Sequence, residues 1–546
     1  MLLRSACVLA VFSAFVNAQK EPFDVHALLK ISRIADPQLS PDGKLVAFTV
    51  QTIDVAQNAR PRQIWIVPLE GGAPKQLTRE GNNERARWSP DSRRLVFISS
   101  RGGSSQIWIM NADGGSPKQV TNLATEAGGV IVSPDGRNLV FTSEVYPECA
   151  DEACNKKKLD EENASKVKAR IYTSLLYRHW NTWQGTRRSH LMVVPVDGGV
   201  ARDLTPTARE VPPFSLGGPD DYAVSPDGKE LCYAAVSDPE PAVSTNSDLW
   251  VVPIEGGDPR RITENPSADN SPSYSPDGKH LAWRLQLRAG YESDKWRLAV
   301  MDRAADKPQV LTEGLDRAVG SFTWSPDSRR LFFSAEDRGR AAIHSIAVTG
   351  GASRPAVSGS SHLDDTQLTP DGKTMIYTGH SGSRPLEIFR ASASGGTPAA
   401  LTRLNETLLE AYQITGLEEF WVEGAERGQV HSFVVKPPGF QRNRRYPVLF
   451  LIHGGPQGAW GESWSYRWNP QVFASAGFVV VMPNPRGSTG YGQRFTDEIN
   501  ADWGGKVYDD IIAVVDHVTR QSWADPERFA AAGGSYGGYM VNWILG

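Results

Sequence analysis

Near the end of the 546-residue chain, Gly533-Gly534-Ser535-Tyr536-Gly537 fits the pattern G-x-S-x-G. Small residues around a serine allow a backbone turn too tight for larger ones, and such a turn lifts the hydroxyl clear of its surroundings. A free serine is a weak nucleophile. A neighbouring base must take its proton, and a carboxylate must hold that base. The chemistry on offer is acyl transfer, with Ser535 as nucleophile. A second candidate element is "HGGPQG", His453 to Gly458, directly after the apolar run Val448 to Ile452. The backbone N–H groups of Gly455 and Tyr536 are the expected donors to the developing oxyanion, and losing one such donor typically costs ~3 kcal/mol of transition-state stabilisation. His453 lies before the serine, at the end of a strand. It is read as a residue that orders the loop rather than as the base. "NPRGSTGYG", Asn484 to Gly492, lacks the Gly-Lys-Ser/Thr ending of a phosphate loop and reads as a border of the same site.

The elements that must hold these residues are strands alternating with helices. "YPVLFLI" and "GFVVVMPN" are nearly continuous apolar runs, the signature of parallel strands covered on both faces. "YDDIIAVVDHVTR" carries apolar residues at helical spacing, and "RFAAAGGSYGGYMVNWIL" reads as strand, sharp turn and helix. An α/β-hydrolase domain over residues 410–546 follows, present only in its N-terminal part. In that fold the acid and the histidine come after the serine. Eleven residues follow Ser535, and none is Asp, Glu or His. The triad Asp and His are therefore expected outside this chain, which reads as a C-terminally truncated piece of a longer enzyme, inactive alone.

A different pattern fills residues 31–403. "SPDGKLVAFT" at Ser40 returns with small changes at Ser89, Ser133, Ser225, Ser275, Ser325 and Thr369. Each copy has a second half such as "IWIVPLEGGAPKQLT". Pro-Asp-Gly and Gly-Gly between short apolar runs are hairpin signals. Four short antiparallel strands in ~45 residues form one propeller blade, so seven copies predict a seven-bladed β-propeller. One interval is twice the usual length and places an insertion at about 143–189. Its charged middle, free of Gly and Pro, predicts a helix.

Composition sets limits on the partners. A net charge of −4 gives no footprint for nucleic acid or an anionic membrane. The first residues, "MLLRSACVLAVFSAFVNA", have one arginine, a short apolar run and small residues ending at Ala18. They read as a secretory signal peptide, 1–18, and place the mature protein outside the cell or in a periplasm, with no membrane association after cleavage. In that compartment Cys149 and Cys154, five apart in a polar stretch, are expected to form a disulfide. Cys232 is expected as a buried free thiol. No metal-ligand spacing is present.

Repeats, "HGGPQG", "NPRGSTGYG" and "GGSYGGYM" together resemble the prolyl oligopeptidase family of serine peptidases, over nearly the whole mature chain. The forms "HGGP" and "GGSYGGYM" look most like its acylaminoacyl-peptidase and dipeptidyl peptidase V branch. The insertion with "YRHWNTW", Tyr177 to Trp183, is similar to that of the secreted dipeptidyl peptidase V group. The resemblance implies a propeller capping the hydrolase site, short peptide substrates, an acyl-enzyme on Ser535, and no metal or organic cofactor. It also implies a carboxylate for the substrate's free amine, with Glu144, Glu148, Glu161 and Glu162 as candidates. Release of N-acylated residues, ester hydrolysis and a non-catalytic propeller that binds partners are the competing readings. The reading frame beyond the codon for Gly546 is expected to carry an Asp and a His.

Overall fold

The computed structural model describes residues 20–546 apart from 174 and 216; the expected signal peptide lies outside the described residues. Seven blades follow one another in chain order. The first is built from Arg33–Leu39, Leu45–Gln51, Arg62–Pro68 and Lys75–Gln76, and the others span 83–119, 128–203, 222–261, 269–310, 319–357 and 362–400. The last two are joined by one parallel bridge, Ala341 to His362.

The repeated sequence has a repeated physical cause. In blade one the Ser40 hydroxyl donates to Asp42 at 2.7 Å and accepts from the Leu45 N–H at 2.9 Å, closing the turn between the first two strands. The same Ser/Thr–Asp bond, 2.6–2.7 Å long, recurs at residues 89–91, 133–135, 225–227, 275–277, 325–327 and 369–371. It holds the carboxyls of Asp91, Asp227, Asp277, Asp327 and Asp371 below their usual range. At the outer edge, the threonine that ends the second half-repeat accepts from the third strand. Thr78, Thr121, Thr205, Thr263, Thr312 and Thr402 bond the N–H groups of Ile64, Ile107, Leu191, Leu249, Leu298 and Ile388 at 2.8–2.9 Å. Each otherwise buried donor is thereby satisfied.

The ring closes between blades seven and one without strand exchange. Ile34, Val46, Phe48 and Val67 pack on Ile376, Ile388 and Leu401. The Gln367 side chain accepts from the Leu39 N–H at 2.8 Å and donates to the Pro37 carbonyl at 2.6 Å. The long interval falls in blade three. Its second strand runs to Val145 and its third starts at Arg188, so the insertion occupies 146–187 and carries a helix, Glu152–Ala164. The sulfurs of Cys149 and Cys154 are 2.00 Å apart at the foot of that helix. Cys232 is buried in a strand of blade four.

The remaining chain forms a five-stranded sheet in the order Leu417–Glu423, Gln429–Val435, Val479–Asn484, Tyr446–Ile452, Ala524–Gly533. The last three run parallel. Helix Lys506–Thr519 buries Val507, Ile511, Val514 and Val518, the apolar stripe of its sequence, against this sheet.

Hairpins between the second and third strands of blades five to seven meet the sheet domain. Arg288 pairs with Asp497 at 2.6 Å, Thr489 donates to Glu336 at 3.1 Å, and the Arg338 N–H donates to the Gly490 carbonyl at 3.0 Å. The Gly382 N–H bonds Glu462 at 3.1 Å. Blade three carries its insertion at the equivalent hairpin, so the insertion rises on the same face of the ring. The N-terminal segment joins the contact: Phe23, Leu28 and Ile31 pack with Tyr412 and Trp464.

One link in this contact titrates. His380 accepts the Trp464 N–H at Nδ1, 2.9 Å away. Burial, with His362 beside it, lowers its pKa from 6.5 to about 4. A depressed histidine pKa gives stability that is fully present above pH 6.5 and is lost as pH falls toward 4. His380→Gln keeps an acceptor for Trp464 without a titrating ring. Its melting temperature is expected to fall less steeply than that of the parent between pH 6.5 and 4 when the two are scanned in parallel. Identical slopes would remove His380 from the account.

Candidate active site

Strand Ala524–Gly533 lies parallel to Tyr446–Ile452, with Ile452 opposite Gly533. The chain then turns through Gly534 and Ser535 and starts helix Tyr536–Leu545. Ser535 has φ 57° and ψ −123°, outside the wells that non-glycine residues favour, a strain of ~1–3 kcal/mol that the surroundings must over-determine. Two glycines make the turn fit. A Cβ on Gly537 would stand 2.1 Å from the Ile452 carbonyl oxygen, and one on Gly533 would stand 2.7 Å from the same atom. Only bare backbone allows strand end and helix start to approach this closely. The turn is closed by the Gly537 N–H to the Gly534 carbonyl at 2.9 Å and the Tyr539 N–H to the Ser535 carbonyl at 3.0 Å. Tyr536 is buried and donates its hydroxyl to the Trp503 carbonyl at 2.8 Å, tying the first helical turn to the loop before Lys506.

The "HGGPQG" loop leaves the neighbouring strand and lies on this turn. A Cβ on Gly454 would be 3.2 Å from the Gly534 carbonyl and 3.4 Å from the Ser535 Cβ. Gly455 follows with φ +134°, a conformation open to glycine. Among the described residues neither the Gly455 nor the Tyr536 N–H has a hydrogen-bond partner. Two free donors beside one exposed serine oxygen can stabilise an oxyanion.

His453 is fully committed elsewhere. Its Nδ1 donates to the Gly454 carbonyl at 2.8 Å, and its Nε2 faces the buried Ser488 hydroxyl at 3.0 Å. Burial holds its pKa below the ordinary value, so the ring is neutral. It fastens the "HGGPQG" loop to the "NPRGSTGYG" loop. The latter is fixed in turn by Arg486, which is buried and paired with buried Asp510 through Nε at 2.9 Å and Nη2 at 3.2 Å. Among the described residues no histidine or carboxylate hydrogen-bonds the Ser535 hydroxyl. No group of His, Cys, Asp and Glu able to hold a metal ion occurs among them either.

Across from the sheet domain the propeller opens into a cavity of about 860 Å³ at the end of its central channel. Arg33, Gln51, Arg62, Ser105 and Glu144 line it, all at the strand ends or hairpins on the ring face that meets the sheet domain, with Asp36, Arg85, Asp220 and Asp365 deeper in. Of the four carboxylates in question, Glu148 pairs with Lys158 and Glu162 accepts from the Tyr146 hydroxyl. Glu161 is exposed on the insertion helix. Glu144 opens on the cavity, and its carboxyl is raised because protein surrounds its other sides, an effect only partly offset by Arg187, Arg188 and His190.

Trp468 and Arg33 carried no sequence signal. Trp468 packs on Gly534, its ring 3.2 Å from where a Cβ would be. Arg33 stands over the ring of Tyr466 at 4.4 Å. Arg33 and Tyr466 lie 433 residues apart in the chain and Trp468 and Gly534 lie 66 apart, and no local pattern marks either contact.

Fold and site together define an α/β-hydrolase turn beneath a seven-bladed propeller. Comparison with known proteins gives the same division. The prolyl oligopeptidase family profile matches residues 464–546, and that of the TolB beta propeller domain matches 27–169. A dipeptidyl-peptidase 5 of Porphyromonas gingivalis is 34% identical over 528 residues, covering 95% of this chain and 76% of the relative. One from Trichophyton equinum is 32% identical over 538 residues, covering 93% and 73%. Among solved structures, an acylaminoacyl peptidase in complex with Z-Gly-Gly-Phe-chloromethyl ketone superposes with a TM-score of 0.78 at 20% identity, over 96% of this chain and 76% of the other. A puromycin hydrolase does so at 0.69 and 17% identity, over 96% and 77%. The chain belongs to the prolyl oligopeptidase family and is a serine peptidase.

The elbow glycines give a direct test. Gly537→Ala is expected to displace the turn from the Ile452 carbonyl and to abolish peptidase activity of the gene product. Gly538→Ala, whose nearest neighbour would be the Gly533 oxygen at 3.4 Å, is expected to be tolerated. Peptidase assays with circular dichroism on both variants would check this. Equal activity in the two would contradict the close-approach argument.

Proposed function

We propose that Ser535 is the nucleophile and that the oxyanion sits between the N–H groups of Gly455 and Tyr536. The observation that carries this reading is the strained Ser535 backbone, held with its hydroxyl free beside two unused donors. The serine attacks the scissile carbonyl while a base removes its proton. The oxyanion collapses with loss of the amine, and water then releases the acyl group by the same path in reverse. Among the described residues the base and its carboxylate are not among those that hydrogen-bond Ser535.

The substrates proposed are short peptides with a free N-terminus, cleaved to release dipeptides, as the names of the 34% and 32% identical relatives indicate for those proteins. Glu144 is assigned the substrate ammonium. It faces the cavity, while Glu148 and Glu162 are held by Lys158 and Tyr146. The ring and its inserted hairpin restrict entry to small substrates. A periplasmic or extracellular location is part of the proposal. The Cys149–Cys154 pair suits an oxidising compartment, and no helix among the described residues is long and apolar enough to cross a membrane.

The test compares one peptide series with a free amine, an acetylated amine and a short acyl ester. The free-amine peptide is expected to be cleaved with a kcat/KM roughly tenfold or more above the acetylated one, as for loss of one charged hydrogen bond. Ser535→Ala is expected to lose at least ~10⁴-fold in kcat. Preference for the acetylated peptide would make the enzyme an acylaminoacyl-peptidase. Preference for the ester would make it an esterase.

A further inference from the structure

Charge on the cavity is not evenly distributed. The arginines deeper in the channel are neutralised within the ring: Arg85 bonds Asp220 at 3.0 Å and Arg87 bonds Asp36 at 2.9 Å. At the mouth, Arg62 bonds Glu84 at 2.7 Å. Arg33 is the exception. It lies half-buried on the cavity wall, and its Nε is buried without a hydrogen-bond partner. Its charged or titratable surroundings are the Tyr466 ring below it and a second cation, Arg60, and among the described residues no carboxylate compensates it. Burying part of a guanidinium beside another cation is costly unless an anion completes the arrangement.

Position narrows what that anion is. Tyr466, under Arg33, belongs to the loop that follows "HGGPQG". Two residues further on, Trp468 packs on Gly534, next to the proposed nucleophile. The loop that holds Tyr466 under the guanidinium thus also reaches the serine turn through Trp468. The carboxylates at the mouth, Glu126 and Glu144, belong to blade three and its approach, whereas Arg33, with Arg60 near it, belongs to blade one. Arg33 and these carboxylates thus line the same cavity from different blades.

We propose that Arg33 is a specificity-determining residue that binds the C-terminal carboxylate of a short peptide substrate, so that the cavity selects peptides free at both ends. The inference rests on the cavity being the substrate compartment of the proposed peptidase. A planar fork matches a carboxylate with two parallel N–H···O bonds, a geometry an amide cannot equal. Tyr466 lies under the guanidinium at 4.4 Å and restricts its motion. Longer peptides place their carboxylate out of reach and lose the contact.

The experiment uses tri- and tetrapeptides with a free amine and either a free or an amidated C-terminus, assayed with the gene product. The free acid is expected to exceed the amide in kcat/KM by on the order of tenfold, chiefly through KM. The gap is expected to close for peptides of eight or more residues. Arg33→Gln is expected to lose the acid-over-amide preference, its acid-to-amide ratio of kcat/KM falling toward one. Arg33→Lys keeps charge without the fork and is expected to fall between. If the parent cleaves acid and amide alike, the proposal is overturned whatever the variants do. It is also overturned if Arg33→Gln folds and loses both substrates equally, since that marks a role confined to the domain contact. Should Arg33→Gln fail to fold, the parent's acid–amide gap and its length dependence decide alone. Acetylating the amine probes the dipeptide-releasing reading separately, so either idea can fail without the other.

Discussion

The site depends on one atom's surroundings. The carbonyl oxygen of Ile452 ends one strand, and against it the chain brings Gly533, the end of the next strand, and Gly537, in the first turn of the following helix. That contact fixes where the helix starts, and with it the strained conformation of Ser535 between them. The same strand continues into the "HGGPQG" loop, so Gly455 and Ser535 are placed relative to each other by backbone alone. His453, Ser488, Arg486 and Asp510 then brace the loop from behind with buried hydrogen bonds. A site held this way costs little reorganisation when charge develops, the condition under which fixed dipoles stabilise it most.

The propeller acts on this site by position. Its hydrogen bonds repeat blade by blade, in the Ser/Thr–Asp turn and the outer threonine, which makes it a stiff ring. It docks on the sheet domain through the hairpins of blades five to seven and through the N-terminal segment, and leaves a charged cavity at the mouth of its channel. On the functional reading proposed here, the chemistry comes from the sheet domain and the choice of substrate from the ring.

Much of this was legible in the sequence because its causes are local. The Ser-Pro-Asp-Gly turns, the continuous apolar strand Tyr446–Ile452 and the stripe on helix Lys506–Thr519 each depend on residues a few positions apart. The elbow and the "HGGPQG" loop are local as well. What was not legible comes from contacts between distant segments. No local pattern marks Phe23 or Ile31, yet both are fully buried against Tyr412 and Trp464. Arg33 and Trp468 look like any arginine and tryptophan until the ring is closed and docked. The four acidic candidates, Glu144 at the end of strand Asn138–Val145 and three in the insertion, could not be ranked from sequence. Only the positions of Lys158 and Tyr146 separate Glu148 and Glu162 from Glu144.

The central claim is that Ser535 reacts with its oxyanion held by Gly455 and Tyr536. A crystal structure of the gene product treated with a dipeptidyl phosphonate ester tests it most directly. The account predicts phosphorus bonded to the Ser535 Oγ and a phosphoryl oxygen within ~3 Å of both the Gly455 and Tyr536 nitrogens. Phosphorus on any other residue, or a phosphoryl oxygen turned away from both nitrogens, would contradict it.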